Sequence, residues 1–402
     1  MATQAIAPMA RGASRPRMLR GRLPLAVLLG LSLAIAVSTS AGASPYVPQS
    51  DGEVLARLVP GTSHASVPLR REATSRLDVA LPLAEFYLVR GRASGDLRFL
   101  GYAEAVLAPW RAAATPDPSV LVLEATILQS RHAFAAALVE LDRALEGRGN
   151  DAQAWLTRAT VLRVLGRYTE AGASCERLTA VAEGLLGELC SESLSALEGH
   201  LESAYRALRA LPQEELSPAT RAWRYCELGE MAQRLGDEHA AEHWYAEGLR
   251  VAPEDLYTRA AYADLLLGEQ RAAEVLTLLH GYESIEPLLL RIALAQRQLH
   301  DVQLASTRAQ LAAAFAVEEE RGEAVHRREE ARFLLDVAGE PVAALRAAEQ
   351  NFAVQREPAD LLVLLEAAHA AQRLDAAAPA VAFIRQHRTE DVRFAPYLAR
   401  RP

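Results

Sequence analysis

YCELGEMAQRLGDEHAAEHWYAEGLRVAP occupies residues 225–253 and contains two runs with the same periodicity. In each run, apolar and small side chains recur at intervals of three and four residues, which is the spacing of one face of a helix. Gly236-Asp237 separates the two runs. Pro253 ends the second run, because proline has no backbone N–H to continue a helix. The stretch therefore predicts two helices joined by a tight turn.

The same pattern repeats along the chain. Similar side chains stand 34 positions apart at Leu121 and Trp155, Ala125 and Ala159, Phe134 and Tyr168, and Ala137 and Ala171. Repetition at this period is typical of arrays of helical hairpins. Turns between helices are predicted at His132, Gly166, Gly199, Gly236, Gln270, His300, Gly339 and Arg373. Strand-forming clusters are sparse, so an all-α chain is predicted from residue 76 onward.

These residues resemble the tetratricopeptide repeat, whose pattern is W-x2-L-G-x2-Y, a glycine turn, an alanine, an aromatic or large residue, an alanine and a proline. The best copy consists of Tyr225, Leu228, Gly229, Ala232, the turn Gly236-Asp237, Ala241, Tyr245, Gly248 and Pro253, and the next best of Trp155, Ala159, Leu162, Gly166, Tyr168 and Ala171. The resemblance implies an all-α, right-handed superhelical solenoid of helix-turn-helix repeats over residues 76–388. Repeats are expected at 76–117, 118–151, 152–184, 185–221, 222–255, 256–289, 290–324, 325–358 and 359–388.

The segments outside the repeats have other predicted roles. Residues 1–43 contain no acid, and their five arginines, from Arg11 to Arg22, are followed by the apolar run Leu23–Val37 and the tripeptide Ala41-Gly42-Ala43. This order is typical of a secretory signal cleaved before Ser44, which predicts a periplasmic or secreted protein; a membrane anchor over 23–37 is the alternative. Translation starts at Met1 or Met18. Residues 44–75 are predicted to be extended, and residues 389–402 form a C-terminal tail.

Composition excludes several classes of function. All 43 basic residues are arginine, so the chain cannot supply the lysine of a phosphate-binding P-loop, a Schiff-base enzyme or a protein kinase. Loss of the five arginines in residues 1–43 would change the net charge from −8 to −13. A chain this acidic, without basic clusters, is not expected to bind nucleic acid. No membrane insertion is expected after signal cleavage, and no cofactor or metal is expected either.

His239-x-x-Glu242-His243 has the spacing of an inverted zinc metalloprotease motif, with two histidines on one helix face and a glutamate as base. It lies in the second helix of the best repeat copy, and the sequence signals neither a third ligand nor a substrate cleft. Solvated helix histidines are the simpler interpretation.

Two charged runs, Glu318-Glu319-Glu320 and Arg327-Arg328-Glu329-Glu330, are interpreted as solvated helix faces with local ion pairs; a charged docking patch is the alternative.

The three cysteines have no C-x-x-C spacing. Cys175 and Cys190 lie in neighbouring predicted helices, so in an oxidising compartment they could pair. Cys226 would then remain single, as a small buried residue.

In tetratricopeptide-repeat proteins the first helices of successive repeats line a concave groove that holds extended peptides. The resemblance implies that the groove residues here are Gln153, Thr160, Arg163, Glu227, Glu230, Arg234, Asp264 and Arg297. It further implies a non-enzymatic scaffold of the cell envelope or secreted space that binds a protein or peptide partner. The alternatives are a structural subunit of an export or cell-surface assembly, and a zinc-dependent hydrolase centred on His239, Glu242 and His243. The oligomeric state is left open.

Overall fold

A computed structural model of the chain describes residues 72–182, 184–212, 216–320 and 326–398. The predicted signal over 1–43, with its alternative anchor at 23–37, lies outside the described residues, as does all but the end of the extended segment at 44–75. Among the described residues, none of the helices combines the length and apolar character needed to cross a lipid bilayer.

The described chain is helical throughout and contains no strand. Its α-helices are α1 (Leu77–Ser94), α2 (Arg98–Arg111), α3 (Pro118–Ser130), α4 (Phe134–Gly147), α5 (Ala152–Val164), α6 (Tyr168–Val181), α7 (Leu186–Ser195), α8 (Leu201–Ala210), α9 (Pro218–Leu235), α10 (Glu238–Val251), α11 (Leu256–Gly268), α12 (Ala272–Leu278), α13 (Glu286–Gln298), α14 (Leu304–Glu320), α15 (Arg327–Arg332), α16 (Pro341–Val354), α17 (Pro358–Ala370), α18 (Ala378–His387) and α19 (Ala395–Leu398). A π-helix (Phe333–Ala338) continues α15, and short 3₁₀ helices (Leu374–Ala377 and Val392–Phe394) precede α18 and α19.

Successive helices pack as antiparallel hairpins, α1 with α2 through to α17 with α18. Each hairpin contacts the next one, so the chain is an all-α solenoid of hairpins. The fifth and seventh hairpins begin at Pro218 and Glu286, four residues before the expected repeat boundaries in both cases.

The turns inside the hairpins share one backbone geometry. Seven of the predicted turn residues have φ between 53° and 81°, namely His132, Gly166, Gly199, Gly236, Gln270, His300 and Gly339. In most of these turns, the next N–H bonds back to a carbonyl five residues earlier, as Asp237 N does to Ala232 O at 2.9 Å. This bond satisfies a carbonyl at the helix end. The turn predictions are confirmed except the last, which is at Gln372 rather than Arg373.

Small residues bring the two helices of a hairpin close together. Gly229 of α9 faces the Tyr245 ring of α10, and a Cβ built on Gly229 would lie 2.6 Å from Tyr245 Cδ1. Tyr245 and the neighbouring Ala241 are completely buried. The conformational cost of a glycine within a helix is therefore offset here by the close helix crossing that it allows.

The C-terminal hairpins fold back onto the middle of the array. The Arg356 N–H donates to Val164 O at 2.8 Å, and the Phe383 ring contacts the Gly166 turn. One buried apolar cluster contains residues from 121–197 together with residues from 331–394. Residues 389–398, which the sequence analysis assigned to a tail, are part of this contact, because Thr389 Oγ1 donates to Leu197 O at 3.1 Å. The solenoid therefore closes on itself.

Candidate functional site

The closed array surrounds a central, half-open cavity of about 1210 Å³, which is lined mainly by the first helices α9, α11, α13, α15 and α17. The lining is dense in charge of both signs. Its arginines are Arg92, Arg163, Arg234, Arg291, Arg297, Arg328, Arg332 and Arg393, and its acids include Glu227, Glu230, Asp264, Glu286, Glu318, Glu329, Asp336, Glu357 and Glu366.

The structure brings most of the predicted groove residues to this one cavity. Its lining includes Arg163, Glu227, Glu230, Arg234, Asp264 and Arg297. Gln153 lies elsewhere and donates to Thr157 Oγ1 at 3.0 Å. Thr160 borders a separate small void and donates to Leu156 O at 2.9 Å. Six residues that were predicted on the first helices of four hairpins therefore line the same cavity.

Several of these side chains are bound internally instead of facing free space. Arg163 is 8% exposed and donates to Glu227 at 2.8 Å and to Glu357 at 3.3 Å. Burial lowers the pKa of Arg163, but the charges of Glu227 and Glu357 outweigh that effect and raise it. Arg163 therefore stays charged and joins α5 to α9 and α17.

Arg234 and Asp264 are also engaged. Arg234 Nε donates to Glu390 O at 3.0 Å and another of its nitrogens donates to Ala196 O, so it fixes the C-terminal segment to α7. Asp264 accepts from Arg291 at 2.7 Å and from Arg332 at 2.9 Å. Burial raises the pKa of Asp264, but the two guanidinium groups lower it below its ordinary value.

The prediction of a solvated face was wrong for part of this lining. The run Arg327-Arg328-Glu329-Glu330 is not a solvated face, since Glu329 is 7% exposed and lies 3.6 Å from Arg291. Arg328 contacts Asp360, a carboxylate that also accepts from the Glu357 N–H at the start of α17. The overlooked signal was the position of this run on the first helix of a hairpin, whose polar face turns toward the cavity.

Three charged side chains in the lining make neither an ion pair nor a hydrogen bond among the described residues: Arg92, Asp336 and Glu366. Burial alone lowers the pKa of Arg92 to about 10, and its Nε has no hydrogen-bond partner there. Burial raises the pKa of Glu366 to about 7, and the neighbouring Asp336 charge acts in the same direction. These groups leave one positive and two negative positions for a charged ligand.

His326 stands at a corner of the cavity between two carboxylates. Its Nδ1 is 2.7 Å from Glu318 Oε1 and 3.2 Å from Glu286 Oε1. Burial lowers the pKa of His326, but the two neighbouring carboxylates raise it to about 10. Nothing in the spacing of Glu286, Glu318 and His326 marked them in the sequence, because they belong to three separate segments.

The geometry does not assemble the His239, Glu242 and His243 motif into a metal centre. His239 and His243 are exposed on α10. Glu242 accepts from Arg271 at 2.7 Å and from Tyr262 at 2.9 Å, so its carboxylate is already bound. Within the described ranges, only Glu286, Glu318 and His326 form a group of three potential metal ligands.

The cysteines lie away from the cavity lining. Cys175 of α6 and Cys190 of α7 form a disulfide that joins the third hairpin to the fourth, with their Cα atoms 5.6 Å apart. Cys226 is buried, and burial raises the pKa of its thiol well above the ordinary value, which disfavours the reactive thiolate.

No protein-family model matches this chain, and no curated protein does. Solved structures do match it. The chain resembles tetratricopeptide-repeat proteins. Pseudomonas aeruginosa PilF is 18% identical over 63% of this chain and 97% of its own, with a TM-score of 0.31. The P58(IPK) TPR domain is 16% identical over 80% and 96%, at 0.22, and yeast Tom70 is 9% identical over 80% and 94%, at 0.24.

Proposed function

We propose that this protein is a non-enzymatic scaffold that holds a segment of a polypeptide partner in its central cavity. The observation that carries the proposal is the convergence of six predicted groove residues on one cavity of about 1210 Å³. Pockets for small molecules measure about 300–1,000 Å³, so a cavity of this size accommodates a short peptide. The charged side chains in the lining suit a chain whose backbone and side chains both need hydrogen-bond partners.

The unpaired groups define the expected ligand. Arg92 has five N–H donors for a carboxylate, and Asp336 and Glu366 can accept from an arginine or lysine side chain. Arg163, Arg234 and Asp264 are held in internal bonds, so they shape the cavity without being its free contacts. The peptide should therefore carry charges of both signs.

The test uses peptides selected against the purified chain from a displayed random library. Arg92→Gln should weaken the selected peptides about tenfold or more, because a hydrogen bond to a charged group is worth about 1.5–3 kcal/mol. Arg90→Gln is the matched control, since Arg90 lies on the same helix but is exposed and outside the cavity. If no peptide is selected, or if both variants bind alike, the cavity is not the binding site.

We further propose that the protein works in the cell envelope or outside the cell. The arginine-rich start, the Leu23–Val37 run and Ala41-Gly42-Ala43 support export, and the disulfide between Cys175 and Cys190 suits an oxidising compartment. N-terminal sequencing of the protein from its native source should then begin at or near Ser44. Recovery of Leu23–Val37 on protein in a membrane fraction would favour the anchor instead.

A further inference from the structure

The side chains of Glu286, Glu318 and His326 come from three places in the fold and meet at one corner of the cavity. Glu286 is the first residue of α13, Glu318 lies in the last turn of α14, and His326 directly precedes α15. One potential ligand atom from each lies within 4.8 Å of the other two. All three side chains are only 15–19% exposed.

The hydrogen bonds within this group of three side chains leave one carboxylate oxygen without a donor. Both carboxylates approach the same nitrogen, Nδ1 of His326, at 2.7 Å and 3.2 Å. An imidazole nitrogen carries one hydrogen, so it can make one well-directed bond and not two. Glu318 takes that bond, and the buried Glu286 Oε1 has no hydrogen-bond donor among the described residues. A buried carboxylate oxygen without a donor is costly, and a cation would relieve that cost.

We propose that Glu286, Glu318 and His326 bind a divalent metal ion, and that zinc is the preferred ion. Imidazole nitrogen and carboxylate oxygen are both ligands that zinc uses in proteins, at bond lengths of about 2.0–2.2 Å. The imidazole disfavours magnesium and calcium, which prefer oxygen ligands alone. Binding of the ion to Nδ1 releases the proton of His326 to solvent. Two ionised carboxylates and the neutral imidazole then carry a charge of −2, which a divalent ion neutralises.

Such an ion would have one consequence for the fold and one for the chemistry of the cavity. It would tie the start of α13 to the end of α14 and the start of α15. Three protein ligands also leave the fourth position of a tetrahedral zinc ion open. All three ligands line the cavity, so a carboxylate or water in the cavity could fill that position.

The experiment measures Zn²⁺ binding to the full chain, purified without a polyhistidine tag, by equilibrium dialysis and elemental analysis. We expect one zinc per chain. Loss of a residue that merely supports a metal ligand costs about 10–100-fold in affinity, so His326→Ala and Glu318→Gln should each cost at least about 100-fold. The matched control is His239→Ala combined with His243→Ala, which removes the exposed histidine pair and should leave affinity unchanged.

Three results would overturn the site: no zinc bound by the unaltered chain, unchanged affinity in His326→Ala and Glu318→Gln, or loss of binding in the His239/His243 control. Circular dichroism and melting of each variant show whether it has folded. If a variant does not fold, the Co²⁺ spectrum of the unaltered chain gives the answer independently. Nitrogen and oxygen ligands alone support the site, and a thiolate charge-transfer band would assign the metal to Cys226 instead.

Discussion

At the scale of the residue, this chain shows what arginine can do that lysine cannot. Arg163 donates hydrogen bonds to both Glu227 and Glu357 from two nitrogens of its planar guanidinium group. Arg291 donates two parallel hydrogen bonds to the Asp264 carboxylate. A guanidinium group has five donors in a fixed fork, is less strongly hydrated than an ammonium group and stays charged when buried. A cavity wall built from such pairs keeps its charge without lysine.

The first prediction concerns Arg163. Replacement by alanine should lower the free energy of unfolding by about 3–5 kcal/mol, because Glu227 and Glu357 would then be buried without their partner. Arg167→Ala is the control: Arg167 pairs with Glu170 at the surface, where such a bond is worth about 0–1 kcal/mol. Urea denaturation measures both. Similar losses in the two variants would mean that the pairs around Arg163 are not buried in solution.

At the scale of the element, the hairpin is the unit that the sequence predicted best. Its turns depend on local bonds such as that from Asp237 N to Ala232 O, and its helix crossing depends on residues such as Gly229 and Ala241. Both features arise within about 30 residues of chain, so a repeated pattern reveals them. Gln270 and His300 adopt the left-handed conformation without glycine, and the breaks in the helical periodicity located those turns.

The second prediction compares two glycines inside helices. Gly229→Ala should destabilise the protein by about 1–3 kcal/mol, because the added methyl group would overlap the Tyr245 ring and overpack the helix crossing. Gly101→Ala in α2 should stabilise it by about 0.5–1 kcal/mol, because its Cβ would meet no atom within 4 Å and alanine favours the helix. Thermal melting measures both, and a loss in both variants would contradict the packing of α9 on α10.

At the scale of the whole molecule, closure is what the sequence could not predict. Arg163 and Glu357 are 194 residues apart, and their meeting depends on small rotations that accumulate from hairpin to hairpin. A polar helix face has the same sequence pattern whether it faces bulk water or a polar cavity. For that reason the sequence placed Glu329 at the surface, although it is buried. Family geometry placed Arg163, Glu227 and Asp264 on one concave side. It did not give their further ion-pair partners, which are Glu357, Arg291 and Arg332.

The last prediction tests closure in solution. Phe383 of α18 packs against the Gly166 turn and the Tyr168 ring, so Phe383→Ala should speed amide hydrogen exchange in residues 162–168 as well as in its own hairpin. Phe315→Ala is the control, because Phe315 is equally buried but packs on Phe333 in a different apolar cluster. Its effect should stay near α13, α14 and the π-helix. Local structure in an open solenoid depends on neighbouring repeats alone, so if Phe383→Ala left residues 162–168 protected, the array would be open in solution and the cavity a groove.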